Sequence, residues 1–118
     1  MIGHSNRFHG RAGIQRLYAK GKSVRAGSLA LKYATNGRSS YRLAVVVSRK
    51  VSKSAVVRNR IRRRLYENVR ILSDSFVEPF DLVLLAYDAS LAELPTAELA
   101  REVERIVKKA KLTSATSA

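Results

Sequence analysis

Apolar positions recur along this chain with two different periods, and the switches between them mark its elements. In residues 13–20, Ile14, Leu17 and Tyr18 stand at helical spacing and Gly21 follows as a C-terminal glycine, which predicts a short helix. Residues 28–33 alternate. Leu29, Leu31 and Tyr33 share one face and Ala30 and Lys32 the other, the pattern of a strand. Asn36-Gly37 is a hairpin-turn signal. Residues 41–47 then contain the unbroken apolar run Leu43-Ala44-Val45-Val46-Val47, which predicts a central strand buried on both faces.

The longest periodic segment is residues 52–72. Val57, Ile61, Leu65, Val69 and Leu72 repeat at steps of three and four, so they form one apolar stripe on a helix that Ser52 or Ser54 can cap. Residues 81–87 read as another strand, through Leu82-Val83-Leu84-Leu85-Ala86. Pro95-Thr96 opens a last helix, with Thr96 as its cap, Glu98 near its positive end, and a stripe of Leu99, Val103, Ile106, Val107 and Ala110. The order is α-β-β-β-α-β-α if the first strand region is split, and α-β-β-α-β-α if it is not. The stretch from Tyr41 to Tyr87 forms a strand, helix, strand crossover. One sheet of about four strands with helices packed on it, an α+β sandwich, is the expected solution. At 118 residues the chain is one domain, with residues 1–12 as a basic arm and residues 113–118 as a frayed tail.

Charge changes this picture from a fold into a binding surface. The formal net charge is +14, from 23 basic and 9 acidic side chains. Every acid lies at or beyond Glu67, so residues 1–66 carry 17 Lys and Arg and no Asp or Glu. Such an excess costs self-repulsion in the compact state and favours a polyanionic partner. It is densest on the long helix, where five arginines fall within residues 58–64. Arg58, Arg62, Tyr66 and Arg70 stack at four-residue spacing, with Asn59 and Arg63 in the adjacent row. The apolar stripe holds the opposite side, so the guanidiniums are expected to face outward. A solvated structural face mixes signs, and here only Glu67 reaches an arginine of this group, Arg63. Arginine suits phosphate because its planar fork makes bidentate contacts and stays charged. Ser48, Arg49, Lys50 and Lys53 lead into the N-terminus of the same helix, which itself attracts phosphate.

Other chemistry is poorly supplied. Without cysteine there are no disulfides or thiolate metal sites, and the composition fits a reducing cytosol. No apolar run approaches the roughly 20 residues of a membrane span, and the basic N-terminus lacks the apolar segment of a secretory signal. No Ser-His-Asp set, carboxylate pair in the basic half or His cluster suggests catalysis by the chain alone. His4 and His9 read as solvated or phosphate-contacting residues of the arm. Asp74, Glu78, Asp81 and Asp88 lie near turns, where capping and solubility account for them. Tyr33 can be core or stacking platform, and Tyr41 is assigned to the core. A helix-turn-helix reader of DNA also exposes a basic helix, but here the helix is embedded between two buried strands.

Several segments together resemble the protein subunit of bacterial ribonuclease P. They are Arg7-Phe8, Gly21-x-Ser23, the run Leu43 to Lys50, the block Ala55-Val56-Val57-Arg58-Asn59-Arg60-Ile61-Arg62-Arg63, which is similar to that family's RNR signature, and Asp81-Leu82-Val83-Leu84. The likeness spans about residues 7–110, and its middle block is specific. It implies a left-handed crossover holding the arginine helix, where chirality alone favours a right-handed one. It further implies a cytoplasmic ribonucleoprotein in which a catalytic RNA, with Mg2+ bound mainly by that RNA, removes the 5′ leader of precursor tRNA. By position, Arg58, Asn59, Arg60, Arg62 and Arg63 fall on the RNR helix, and Ser48, Arg49, Lys50 and Lys53 on its basic approach, all as RNA-binding residues. Ile14, Tyr18 and Lys32 fall where the family lines its leader cleft, Tyr18 as a base-stacking ring. Tyr66 joins the leader set, at a place where the family often has arginine, and Tyr87 ends the last strand where an arginine is frequent. No residue is assigned to catalysis or metal. A structural RNA-binding protein of ribosomal type, a DNA-binding regulator and an enzyme acting alone on RNA are the rival readings.

Replacing Arg58 and Arg62 together by Ala is expected to weaken RNA binding and flatten its salt dependence, because fewer counterions are released. Affinity measured across a salt series checks this, and an unchanged slope places the contact surface elsewhere.

Overall fold

The computed structural model describes residues 11–113. They form α1 (Arg11–Lys20), β1 (Lys22–Ala26), β2 (Leu29–Thr35), β3 (Arg42–Val47), α2 (Ala55–Leu72), β4 (Phe80–Ala86) and α3 (Thr96–Lys109), with 3-10 turns at Ser73–Ser75 and Ala89–Ala92. The order is α-β-β-β-α-β-α, but its extra strand is β1 in residues 22–26 and not a split of the region 28–33, which stays within β2. The strands make one mixed sheet, β1-β2-β4-β3. β2 pairs antiparallel with β1 and with β4, while β3 runs parallel to β4, so α2 lies within a β3-α2-β4 crossover. The architecture is the expected α+β sandwich.

The sheet has two unequal covers. α2 and α3 pack on one face, where Ile61, Leu65 and Val69 of α2 and Leu99, Val103, Ile106 and Val107 of α3 meet Leu29, Leu31, Leu43, Val45, Leu82 and Leu84. This is the face that the alternation in residues 28–33 assigns to Leu29, Leu31 and Tyr33. Among the described residues the other face carries only α1, whose Leu17 is buried against Ala44 and Val83, with Ile14, Ala34, Val46 and Leu85 around them.

Two strand expectations are corrected. Asn36-Gly37 turns the chain, with Gly37 at a φ of 65° and the Asn36 side-chain oxygen accepting the Arg38 N–H at 2.8 Å. It does not close a hairpin, because β4 lies between β2 and β3. The tight hairpin comes earlier, at Gly27-Ser28, where Ala26 pairs with Leu29. Gly27 has a φ of 58° and Ser28 is not in the left-handed region, the II′ pattern that matches strand twist. The second correction concerns β3, which is an edge strand rather than a central one; β4 is central. The apolar run in β3 reports helices on both faces, not strands on both sides. An edge strand leaves N–H groups unpaired, and the N–H of Val45 is taken by the Tyr66 hydroxyl at 3.3 Å.

Element ends shift for local reasons. Ser54 is the cap of α2, its hydroxyl accepting the Val57 N–H at 3.2 Å, so the helix begins at Ala55 and not at Ser52. Thr96 does not cap α3. Pro95 holds that position through an extended backbone, its carbonyl accepting the Leu99 N–H at 2.9 Å. Arg11 and Ala12 belong to α1 rather than to a loose arm. At the other end Leu112 is fully buried and Thr113 bridges to Phe76. The rest of the expected arm and tail, residues 1–10 and 114–118, lies outside the described residues. Tyr33 and Tyr41 both serve packing, edge-on to Phe80 at 6.3 Å and to Phe76 at 5.8 Å.

The turn from α1 into the sheet leaves no room for a side chain. The N–H of Gly21 bonds the Leu17 carbonyl at 2.7 Å, and a Cβ on Gly21 would lie 2.6 Å from that oxygen and 2.7 Å from a Leu17 methyl. Gly21→Ala is therefore expected to cost about 1–3 kcal/mol of stability through overpacking. Urea denaturation measures it, and an unshifted midpoint would refute the tight seat.

Candidate nucleic-acid interface

The rotation of α2 is set by Ile61 and Leu65, both fully buried, and by Val69, and its remaining positions divide between two flanks. Val56, Asn59, Arg62, Arg63 and Tyr66 line a shallow groove of about 480 Å³ on one side. Arg60, Arg63, Arg64, Glu67 and Asn68 line another of about 470 Å³ against Thr96 and Leu99 of α3. Arg63 thus stands on the ridge between the grooves, exposed.

The five arginines do not all face outward unengaged, and here the expectation from spacing is corrected. Arg64 donates to the Leu91 carbonyl at 2.6 Å and also to that of Leu94. Arg60 donates through Nε to the Ala92 carbonyl at 2.8 Å. These carbonyls lie at and just beyond the end of the Ala89–Ala92 turn, where helical oxygens lack intrahelical partners and carry partial negative charge. Backbone oxygens do there what acids do elsewhere, which is why an absence of carboxylates is not an absence of partners. Arg58 reaches back to the Ser52 carbonyl at 2.9 Å, and Arg62 donates to the side-chain oxygen of Asn59. Among the described residues, no carboxylate pairs with Arg49, Lys50, Lys53 or any arginine of residues 58–64. Glu67 pairs with Arg70 at 2.5 Å, and that bond holds its carboxyl at about 2, so it stays ionised.

The segment before α2 extends the same cationic surface. Ser48, Arg49, Lys50 and Lys53 are all exposed, in a turn closed by the Val51 N–H on the Ser48 carbonyl at 3.0 Å. It leaves β3 where Val47 pairs with Ala86, beside Tyr87 at the end of β4. It therefore joins the α2 surface to the sheet face under α1.

On that face Ile14 is half-buried and Tyr18 is 44% exposed, with the Lys32 ammonium 5.2 Å above its ring. Tyr87, 48% exposed, carries the Arg25 guanidinium 4.6 Å over its own ring. Register places Arg25 opposite Ala30, Ala30 opposite Leu85 and Lys32 opposite Val83, on one face. Partial burial raises the Tyr18 phenol above its usual range, and the neighbouring Tyr87 adds to the rise. Two cation–aromatic pairs thus lie side by side. Of the expected leader set, Ile14, Tyr18 and Lys32 come together. Tyr66 does not join them, since it packs with the α2-α3 core on the opposite face. Arg25 was not expected here, and Tyr87 was expected only as a departure from a family pattern. The alternation from Leu85 to Tyr87 and the Gly27-Ser28 turn, which places Arg25 on a paired strand, carry the missing signal.

A sequence model of the ribonuclease P family matches residues 2–111. The chain belongs to the ribonuclease P protein family. It is 35% identical over 99 residues to the ribonuclease P protein component of Caldanaerobacter subterraneus, covering 84% of each chain. It is 34% identical over 114 residues to that of a Pseudanabaena species, covering 95% of this chain and 97% of the relative. The solved ribonuclease P protein of Staphylococcus aureus superposes with a TM-score of 0.80 at 27% identity, over 92% of this chain and 98% of that one. The Thermotoga maritima protein shares the fold, with a TM-score of 0.77 at 23% identity over 87% of this chain and 96% of that one.

The division among arginines has a measurable consequence in this family member. Arg64→Ala removes both carbonyl contacts and is expected to cost about 1–3 kcal/mol of stability while leaving the salt slope of RNA binding nearly intact. Arg63→Ala is expected to do the reverse, lowering the slope by about 1 with little effect on unfolding. Denaturation and salt-series binding on both variants check the split, and matching behaviour of the two would dissolve it.

Proposed function

We propose that this protein is the RNA-binding component of a cytoplasmic ribonuclease P ribonucleoprotein, holding both the catalytic RNA and the 5′ leader of precursor tRNA. The observation that carries the reading is the continuity of two unlike surfaces through the Ser48 to Lys53 turn. α2 offers guanidiniums without carboxylate partners, suited to phosphates. The α1 face offers Tyr18 and Tyr87 with cations beside them, suited to a single strand whose bases stack while its backbone is neutralised. One body bearing both can fix a leader relative to a structured RNA, which is a positioning contribution to cleavage.

The hydrolysis itself belongs, in this reading, to the RNA with its bound Mg2+, which activates water and stabilises the leaving oxygen. Among the described residues no three His, Asp or Glu side chains gather where a metal could sit. What the chain's residues do is bind and orient. Arg58, Arg62 and Arg63 hold phosphates, Arg49, Lys50 and Lys53 extend that hold, and Tyr18 with Lys32 receives the leader. A structural protein of ribosomal type would share the α2 surface but would have no use for the aromatic face.

Cleavage of precursor tRNA at low magnesium, by catalytic RNA with and without the protein, tests the reading. Stimulation is expected, its absence sinks the proposal, and cleavage by the protein alone would replace it with that of an autonomous enzyme. For Tyr18→Ala, the holoenzyme is expected to lose about 1–3 kcal/mol of affinity for leader-bearing substrate, the value of one stacked base. Equal loss for leaderless tRNA would count against stacking.

A further inference from the structure

α1 splits its face of the sheet in two. Leu17 is its foot, seated on Ala44 and Val83. Ile14 and Tyr18 look toward the flank already described. Gly13, Arg16 and Lys20 border the other flank, a hollow of about 330 Å³ whose far wall carries Arg38. Asp81 lies in its lining, bonded by Arg42 through Nε at 2.8 Å and a terminal nitrogen at 2.6 Å, and by the Asn36 amide at 3.0 Å. Burial pushes the Asp81 carboxyl up, but the bonds from Arg42 and Asn36 outweigh it and hold the group below its usual range. The acid is thereby an anion already matched by a cation.

With Asp81 matched by Arg42, three cations remain. Arg16 and Lys20 sit four residues apart on α1, which contains no acid, and like charges so spaced destabilise a helix. Arg38 comes from the separate turn between β2 and β3. None of the three forms a close ion pair with a carboxylate among the described residues, although the charge of Arg38 adds to the pull that holds Asp81 low, and Asp81 is the only acid among the described residues of the lining. Among the described residues no aromatic ring lines the hollow, and Gly13, Gly21 and Ala34 keep its wall low. It offers charge and N–H donors but no platform for a base. That chemistry fits a phosphate backbone and gives no grip on sequence.

We propose that this hollow is a phosphate site, in which Arg16, Lys20 and Arg38 hold the backbone of an RNA segment distinct from the strand stacked on Tyr18. The assignment rests on the RNA-binding reading above. α1 stands between the flanks, so one short single strand does not occupy both without crossing the helix. The phosphodiester can belong to the catalytic RNA or to the body of the precursor tRNA, and the two sources separate in the assay.

The test compares wild type with Lys20→Ala/Arg38→Ala and with the charge-keeping Lys20→Arg/Arg38→Lys. Binding to catalytic RNA alone is measured across a salt series, and holoenzyme binding is measured for leader-bearing and leaderless precursor. The Ala pair is expected to bind roughly tenfold more weakly, with a salt slope smaller by about 2, in the arm that holds the source. The charge-keeping pair is expected to stay within about twofold of wild type, since phosphate neutralisation needs charge more than shape. All sites are exposed, and thermal midpoints confirm that the variants fold. Loss for catalytic RNA names that RNA as the source, and equal loss for both precursors names the tRNA body. Loss confined to leader-bearing precursor would overturn the site as a separate one, and wild-type affinity and slope in both arms would overturn it outright. A wild-type protein that bound neither RNA would instead bring down the reading beneath it, an outcome visible before any variant is compared.

Discussion

The burial of β4 on both faces is the constraint from which the rest follows. Its neighbours on either side are β2 and β3, and Leu82, Val83 and Leu84 are almost wholly sequestered, with Val83 pointing away from the main core. A strand of that kind needs cover above and below. Two helices of 18 and 14 residues supply it on one face, and a helix of 10 supplies it on the other. The short helix can bury Ala44 and Val83 but cannot span the sheet. What it leaves uncovered among the described residues, on both of its flanks, is where the chain keeps Tyr18, Lys32, Tyr87 and Arg25 on one side and Arg16, Lys20 and Arg38 on the other. The proposed recognition surface is the unfinished half of a sandwich.

Charge has to be reconciled with that packing. A half-chain with 17 cations and no acid repels itself, and the fold answers in two ways. Some cations are tied to backbone oxygens. Arg60 and Arg64 draw α2 onto the turn before α3, so part of the densest cationic run works as a clamp. Others are matched once, as Arg42 is by Asp81. Still others, among them Arg63 on its ridge and Arg49, Lys50 and Lys53 on their turn, form no ion pair with a carboxylate among the described residues. A polyanion relieves those last, and it does so without competing for the carbonyls that hold the fold.

This division marks the limit of what the sequence makes legible. Periodicity locates α2 and α3, because Ile61, Leu65, Val103 and Ile106 repeat in register with a buried stripe. It also finds β2 and β4. It misplaces β3, since an apolar run records what lies above and below a strand and is silent about what lies beside it. β1 escapes because Lys22-Ser23-Val24-Arg25 has little apolar alternation, although Gly27-Ser28 announces its hairpin. The RNR block and the Ser48 to Lys53 approach are found where the spacing puts them. Which arginines are engaged is not readable, because carbonyls at the end of a 3-10 turn have no sequence signature. Tyr66 is the sharpest case. Helical spacing puts it in a row with Arg58 and Arg62, yet its hydroxyl belongs to the edge of β3, a contact that depends on β3 being an edge at all.

The two flanks of α1 also differ in what they can tell an RNA. Stacking on Tyr18 or Tyr87 depends on the presence of an unpaired base, and so favours single-stranded RNA. The hollow around Arg38 has no ring among the described residues, and as a proposed phosphate site it would read charge alone. A helix too short to close a sheet thus separates the surface proposed for an unpaired strand from the one proposed for any backbone. Both are rigidly related through Leu17 to the same pair of strands, and through the Ser48 turn to the arginines of α2. The geometry of an RNA bound at all three would therefore be set less by any one contact than by the seat of Leu17 on Val83.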